Sequence, residues 1–527
     1  MRAGVRPPDL GSARRKRRAR LRSARRRALA VGILSAVVLT VLWAVHARAP
    51  HPAQTGVTQS TPPAHVFTTR LIPSAASWTP PQVRAVARAS ARVFDSAVFP
   101  ESTGVVIEDA RTGATLFARN PNGALVPASV LKLVAAATAL RELGPTFRFT
   151  TRLVAGEPVQ GDTIRGDLWL VGTGDPELKS ADLLRAAAAV RDAGVSRIEG
   201  DVVADGNRFG PDAVNPAWAA DDLEYGYAAL TSAVTMDGGT AQFTITPDAD
   251  GGAANVRVDP ESIAGALVGA VRTGSADADN TLRIDPLPDG SGFQLSGTIP
   301  YGASQKYWRS LAHPTLSAAV VLRTMLTNAG IAVDGGPTIG SAPIGATSIW
   351  THRSRPLTAI IKRMMFDSDN HIAEQLIRAA GAERFGSGAL ANGLAAEGEY
   401  LHEIGQDQTS SVLADGSGLS TANRLSANTV AAVLRDLVTG RDGGAFSQLL
   451  PRVGMEGTVH VRNLAPDVRG RVLGKDGYIE GVSSIAGYVN TAHHGLLIYA
   501  FLVNGWSNGL DAVWSGEDDL LSQLARL

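Results

Sequence analysis

The sequence predicts a layered α/β domain, in which an antiparallel sheet flanked by helices carries a helical subdomain and is interrupted by a large inserted β-rich accessory region, with one transmembrane helix at the N-terminus. Three observations predict it. A β-hairpin pattern near residue 103 and further alternating runs after residue 470 are the two ends of a split sheet, separated by a turn-rich stretch and then by helical patterns. A charge-free apolar run follows a basic N-terminus. No fixed-period repeat appears, which disfavours a solenoid or propeller.

Taken in order, the first 27 residues are a basic tail holding 12 of the 50 Lys and Arg residues and one acid, Asp9, of 49. Residues 28–47 are an uncharged Leu, Val and Ala run. At ~1.5 Å rise per residue its charge-free stretch Ala28 to Val45 nearly crosses a ~30 Å hydrocarbon core, and the arginines place the tail on the cytoplasmic side. The competing reading is a cleaved signal peptide, since Ala47-Arg48-Ala49 has a small-x-small form. With the anchor, the globular part is extracytoplasmic on a single-pass cell-membrane protein. Residues 48–79, rich in Pro, Thr, Gln and Ser, are a linker.

Pro80-Pro81 opens a helix through Val83, Val86, Val93 and Phe94, and Thr103 to Ala118 follows as a hairpin. A second helix starts near Pro127-Ala128-Ser129 and runs to Gly144-Pro145. Residues 80–150 and 299–527 are assigned to the split domain, and 151–298 to the insertion, whose one strong helical stretch is Ala181 to Ala193. Helices return at Thr315 to Ala329, Leu357 to Met365, Ile372 to Ala380 and Asn428 to Leu437. Strands follow at Gly470 to Gly474, Ser484 to Asn490 and Leu496 to Val503, and a helix from Asp511 to Leu527 closes the chain.

Without its basic tail the chain is acidic, with 38 basic residues against 48 acidic ones, so a nucleic-acid partner is excluded as the main reading. Cysteine is absent, which removes disulfides, thiol nucleophiles and Cys-ligated metals. No metal or organic cofactor is implied. His493-His494 lies between two strand patterns and reads as an exposed turn. Neither Gly-x-Ser-x-Gly nor His-Glu-x-x-His occurs.

Three short motifs carry chemistry. Only six lysines occur, and Ser129-Val130-Leu131-Lys132 is the one Ser-x-x-Lys. On a helix that spacing puts Ser129 and Lys132 on one face, where an unprotonated amine can take the hydroxyl proton and the helix start favours a developing anion. The plain alternative is an N-cap serine beside a solvated lysine. Ser368-Asp369-Asn370 stands between two helices; its alternative is an ordinary cap, as at Ser426-Ala427-Asn428. Lys475-Asp476-Gly477 enters a strand pair, and its alternative is a turn.

Together, and in this order, the motifs match the Ser-x-x-Lys, Ser-x-Asn, Lys-x-Gly set of penicillin-binding proteins and class A β-lactamases. From about Pro80 to the C-terminus the sequence resembles the D-alanyl-D-alanine carboxypeptidase/endopeptidase family of low-molecular-mass (class C) penicillin-binding proteins. Gly172 to Pro176, Ser368 to Glu374, Asp415 to Ser420 and Gly481 to Val489 fit it further. The long separation of Ser129 from Ser368 also fits, because this family inserts accessory domains there whereas β-lactamases do not. The resemblance implies a transpeptidase/β-lactamase-like domain and a serine DD-peptidase acting on peptidoglycan stem peptides, with β-lactams as inhibitors.

Carried over residue by residue, it implies that Ser129 is acylated by the penultimate D-Ala carbonyl with Lys132 as base. Ser368 relays the proton to the leaving D-Ala, Asn370 binds the substrate amide, and Lys475 supplies positive potential near the substrate carboxylate. The backbone N–H groups of Ser129 and Tyr478 form the oxyanion hole, each donor contributing about 2.7–4 kcal/mol. The third motif departs from the family's Lys-Thr-Gly followed by Thr or Ser: here it reads Lys475-Asp476-Gly477-Tyr478, without the two hydroxyls. An ionised Asp476 at ~4 Å from a substrate carboxylate, at an effective dielectric of ~20, repels it by about 4 kcal/mol. Pairing with Lys475 or an arginine, protonation, or a substrate lacking that carboxylate each relieves the conflict. The reading from another class is a catalytically weakened or inactive homologue serving as a cell-wall binding or scaffold protein.

Overall fold

Strand-forming runs in two distant stretches of sequence build one sheet. In the computed structural model, which describes residues 78–527 except 213, 250, 288–291, 407–410, 441–444 and 507–508, five strands lie side by side. Their order is Val472–Ile479, Val482–Asn490, Leu496–Asn504, Gly104–Asp109 and Thr115–Arg119. Every neighbouring pair is antiparallel, with Gly477 opposite Ser484, Ser484 opposite Leu502 and Val106 opposite Ala500. The chain divides into residues 1–69 and 70–527, and only the second unit is described. The expected tail and the 28–47 span lie outside the described residues, as does nearly all of the 48–79 linker. Among the described residues no helix is long and apolar enough to cross a membrane.

Both faces of the sheet are covered, which explains why its inner strands are buried throughout rather than alternating with polar positions. On one face lie the helices Lys132–Leu143, Leu357–Asp367, Asn370–Phe385 and Ala427–Thr439, whose apolar residues share a core with Ala486, Ile498 and Ala500. On the other face pack the first and last helices, Pro80–Phe94 and Leu510–Arg526, through Val86, Phe94, Leu520 and Leu524. Pro80 and Pro81 start the first of these where a missing N–H does no harm. One helix was not foreseen. Leu390–Glu403 is rich in Ala and Gly and begins without a side-chain cap, so neither periodicity nor a start signal marks it in the sequence.

The inserted layer has its own sheet, in the order Pro337–Ile339, Val202–Asp205, Leu168–Gly172, Thr150–Ala155 and Thr347–Arg353, and its own core. The helix Pro314–Asn328 belongs to that core through Ala318, Val321 and Leu322. The layer therefore continues past the boundary expected at 298, because Thr347–Arg353 returns to pair with Thr150–Ala155. The apolar face of Pro314–Asn328 reads the same whichever core it enters, so its sequence pattern cannot assign it.

Beneath the edge strand Val472–Ile479, charge is buried. Arg462, with a side chain 2% exposed, reaches Glu517 and Asp518 of the last helix, both at 2.8 Å, and lies over the Trp514 ring. Removing one member of a buried charge cluster strands the others without solvent. Arg462→Ala is expected to lower stability by about 3–5 kcal/mol, read as a fall in the urea midpoint with little change in slope.

Candidate active site

A turn that L-residues rarely adopt presents Ser129. Ala128 has φ 46°, and Ser129 follows in a short 3₁₀ segment, Ala128–Leu131, that leads directly into the helix Lys132–Leu143. The expectation of an α-helical start at Ser129 is thus corrected by one turn: the helix proper begins at Lys132. Two polar side chains from the sheet hold the turn in place. Asn504 accepts from the Val126 N–H at 2.9 Å and donates to its carbonyl, and the Ser484 hydroxyl donates to the Pro127 carbonyl at 2.6 Å.

Lys132 is fully buried, and its Nζ meets three oxygens: Ser129 Oγ at 2.9 Å, Asn370 Oδ1 at 2.7 Å and the Ser417 carbonyl at 2.7 Å. Burial, and after it the positive charge of Lys475, push this amine down to about 7, while Asp415, Asp369 and Glu374 pull it upward. The three contacts then have a clear chemical order. A neutral amine has two N–H donors and one lone pair; Asn370 and Ser417 offer oxygens that can only accept, so the lone pair is left for the Ser129 hydroxyl. The Asn370 amide cannot turn its nitrogen to Lys132, because its Nδ2 donates to the Tyr227 carbonyl at 2.9 Å.

The Ser417 carbonyl is fixed by buried carboxylates. Glu374 accepts from the N–H groups of Gly416 and Ser417 at 3.0 and 2.9 Å. Asp415 accepts from the N–H groups of Gly418 and Ser420, from Asn423 and from the indole of Trp218, at 2.6–2.9 Å. Trp218 comes from the inserted layer. Gly418 has φ 80°, and a Cβ there would stand 1.9 Å from the Ala128 carbonyl, so only glycine lets this loop touch the nucleophile turn. Burial, with Asp415 adding to it, pushes Glu374 up to about 7.

The third motif closes the other side. A Cβ on Gly477 would lie 2.6 Å from the Ser129 nitrogen, so the missing side chain is what brings the edge strand against the nucleophile. Lys475 is fully buried and donates to the Asp476 carbonyl at 2.5 Å and to its Oδ1 at 2.8 Å. The Thr458 hydroxyl also donates to that Oδ1, at 2.5 Å. Burial works against a charge on Asp476, but Lys475, Thr458 and Arg462 outweigh it and hold the carboxyl below its usual range. Of the three reliefs expected for Asp476, the structure contains the pairing with Lys475. Tyr478 follows, 47% exposed.

Ser368 sits at the joint between Leu357–Asp367 and Asn370–Phe385 with φ 55° and ψ 35°. Among the described residues its hydroxyl has no hydrogen bond to Ser129 or Lys132, so this geometry does not join it to the pair. Its neighbour Asp369 caps the next helix through the Ile372 N–H at 3.0 Å. Arg363 links Asp369 to Glu177, which directly follows the Gly172 to Pro176 stretch of the inserted layer. The structure therefore brings together Ser129, Lys132, Asn370 and Gly477, and pairs Lys475 with Asp476. Sequence reasoning left without a role Ser417, Glu374, Asp415, Ser484, Asn504 and Tyr227. His493 lies exposed in the bend between two strands, whereas His494 beside it is half-buried, 3.0 Å from Gln82 and against the Trp78 ring, which corrects the exposed turn expected for the pair. No group of three metal-type ligands occurs among the described residues.

This electrostatic arrangement has a kinetic consequence. Acylation of Ser129 should fall about tenfold per pH unit below an apparent value near 7, as Lys132 takes up a proton. Because Glu374 raises Lys132, Glu374→Gln should shift that limb toward lower pH; Lys475 lowers it, so Lys475→Ala should shift the limb upward. Stopped acylation assays across pH 5–9 read both signs.

The model of the D-Ala-D-Ala carboxypeptidase 3 (S13) family matches residues 86–525. A D-alanyl-D-alanine carboxypeptidase of Actinomadura sp. (strain R39) is 33% identical over 431 residues, 78% of this chain and 79% of that protein. The D-alanyl-D-alanine carboxypeptidase DacB of Haemophilus influenzae is 26% identical over 394 residues, 73% of this chain and 81% of that one. The crystal structure of penicillin binding protein 4 (dacB) from Haemophilus influenzae superposes with a TM-score of 0.74 at 25% identity, covering 83% of this chain and 99% of that one. Because that family model spans most of the chain, the chain belongs to the D-Ala-D-Ala carboxypeptidase 3 (S13) family.

Proposed function

We propose that the protein is a serine DD-peptidase of peptidoglycan stem peptides that works through an acyl-enzyme on Ser129. The observation that carries this reading is the 2.9 Å contact of the Ser129 hydroxyl with a fully buried lysine amine whose two other contacts take up its protons. Lys132 removes the hydroxyl proton as Oγ attacks the carbonyl of the penultimate D-Ala, and the departing amine receives a proton as the C–N bond breaks. Water then hydrolyses the ester.

The Ser129 N–H faces Gly477, and with the Tyr478 N–H it is assigned to the oxyanion hole. Asn370 keeps one N–H for a substrate carbonyl after bonding Tyr227. Ser368, at the joint beside Asn370, is assigned the relay to the leaving group. The strained turn at Ala128 supports a site built for chemistry, since such conformations persist where the surroundings over-determine them. β-Lactams, which imitate the acyl-D-Ala-D-Ala end, are the expected inhibitors; penicillin binding protein 4 of Haemophilus influenzae has been crystallised with a β-lactam.

Residues 28–47, uncharged behind an arginine-rich tail, support an anchor that leaves the globular part outside the cell membrane. One observation favours a second reading: Asp476 stands where the family carries a hydroxyl, which suits a cell-wall binding homologue of weak or no activity.

Intact-mass analysis after treatment with an uncharged acyl-D-Ala thioester, and separately with penicillin, decides between them. The peptidase reading predicts an adduct that maps to the peptide carrying Ser129 and is absent in Ser129→Ala, together with a loss of thioester turnover of about 10⁴-fold or more in that variant. Peptidoglycan binding with no Ser129 adduct from either reagent would establish the scaffold reading. The anchor predicts that the full chain sediments with membranes and that a chain beginning at residue 48 does not.

A further inference from the structure

The charges that surround Ser129 do not suit an anionic leaving group. Gly477 is so near the Ser129 nitrogen that the preceding Cα, that of Asp476, lies within about 8 Å of it. Lys475, the cation expected to meet a substrate carboxylate, already gives two of its three protons to Asp476, one to the carbonyl and one to the carboxylate. The positive end of the pair is fully buried and turned toward its own strand, so the end left exposed is the carboxylate. Behind the Lys132 amine stand the acidic groups Asp415, Asp369 and Glu374, with Arg378 acting on Glu374. Arg363 answers Asp369, but it also serves Glu177. Burial of Lys132 in its neutral form leaves no compensating charge there.

Asp476 has further chemistry to offer. Both of its side-chain hydrogen bonds, from Lys475 and Thr458, end on Oδ1, and among the described residues none uses Oδ2. The side chain is 23% exposed. A carboxylate oxygen left without a donor, on a residue whose Cα lies this close to the nucleophile turn, accepts an N–H and repels a carboxylate. The two hydroxyls that would donate to a carboxylate are replaced by this acid and by Tyr478.

We infer that Asp476 is a specificity-determining residue, selecting acyl-D-Ala substrates whose departing group carries a carboxamide, as in an amidated peptide cross-link, over those ending in a free carboxylate, as in a D-Ala-D-Ala terminus. The selection rests on the acyl-enzyme reading above and acts on the same step. Ser129 Oγ bonds to the carbonyl carbon, the C–N bond breaks, and the amine leaves with the proton that came from the hydroxyl. Asp476 takes no part in that exchange. It changes the energy of holding the leaving group beside it, an effect built from one repulsion avoided and one N–H accepted.

Two acyl-D-Ala thioesters test it, one releasing 2-mercaptopropanoate and the other its carboxamide, with full-length wild type, Asp476→Thr and Asp476→Asn. The expected result is that wild type turns over the carboxamide with a kcat/KM about tenfold or more above that for the carboxylate, a gap that narrows in high salt. Asp476→Thr should move the ratio about tenfold toward the carboxylate, and Asp476→Asn, which keeps size and loses charge, should move it part of the way. The wild-type ratio stands as a test even if a variant fails to fold. Equal turnover of both thioesters, a preference for the carboxylate, or a ratio unmoved in Asp476→Thr overturns the inference while leaving the peptidase reading intact. If neither thioester forms an ester on Ser129, the peptidase reading fails and the inference fails with it.

Discussion

A lysine amine kept from water is the constraint on which this site depends. Burying an ionised ammonium costs far more than burying a neutral one, so a fold that encloses Lys132 completely must either pair its charge or suppress it. Here suppression leads: burial and the nearby Lys475 favour the neutral form, and the carboxylates behind the loop restrain the shift so that it stops near neutrality. A base poised there both removes a proton and returns it at ordinary pH. Each neighbour of Nζ then has a function. Two oxygens occupy the N–H groups, and the third contact is the hydroxyl to be activated.

That constraint explains how remote parts of the chain are used. Nucleophile and base come from one helix start, the amide oxygen from the first turn of another, and the carbonyl from a loop pinned by Glu374 and Asp415. The closing wall is the edge strand, which among the described residues meets only the isolated bridge of Arg452 to Leu473 on its outer side. Glycines at 418 and 477 set the spacing where loop and strand reach the nucleophile turn. Close packing at both contacts leaves the turn little room, and rigidity of this sort is what holds reacting groups within tenths of an ångström of their working positions.

Much of this was legible in advance. Strand patterns at both ends of the chain mark the split sheet, although its inner strands are buried throughout rather than alternating, and helix-start signals place Ser129 and Asn370 at element beginnings, where each stands. Other features have no side-chain signature. The Ser417 carbonyl belongs to a backbone, and any residue would supply it. Ser484 and Asn504 face the nucleophile turn from strands whose pattern shows only that they are strands. The helix Leu390–Glu403 has too few large apolar residues to reveal a stripe, and Pro314–Asn328 shows a stripe without showing which core receives it. For Asp476 the sequence posed the conflict correctly, but only coordinates could show that Lys475 curls back to meet it.

The reach of Trp218 and Asn215 from the inserted layer to the segment Ala414–Asp415 carries a consequence for how separable that layer is. Ser420 grips the Ala217 carbonyl in return, so the loop that orients the base is moored on both sides to material a domain diagram would colour differently. An engineer trimming the accessory region to leave a minimal hydrolase would cut these moorings along with the bulk. The insertion is thus less an attachment to a finished catalyst than part of its foundations.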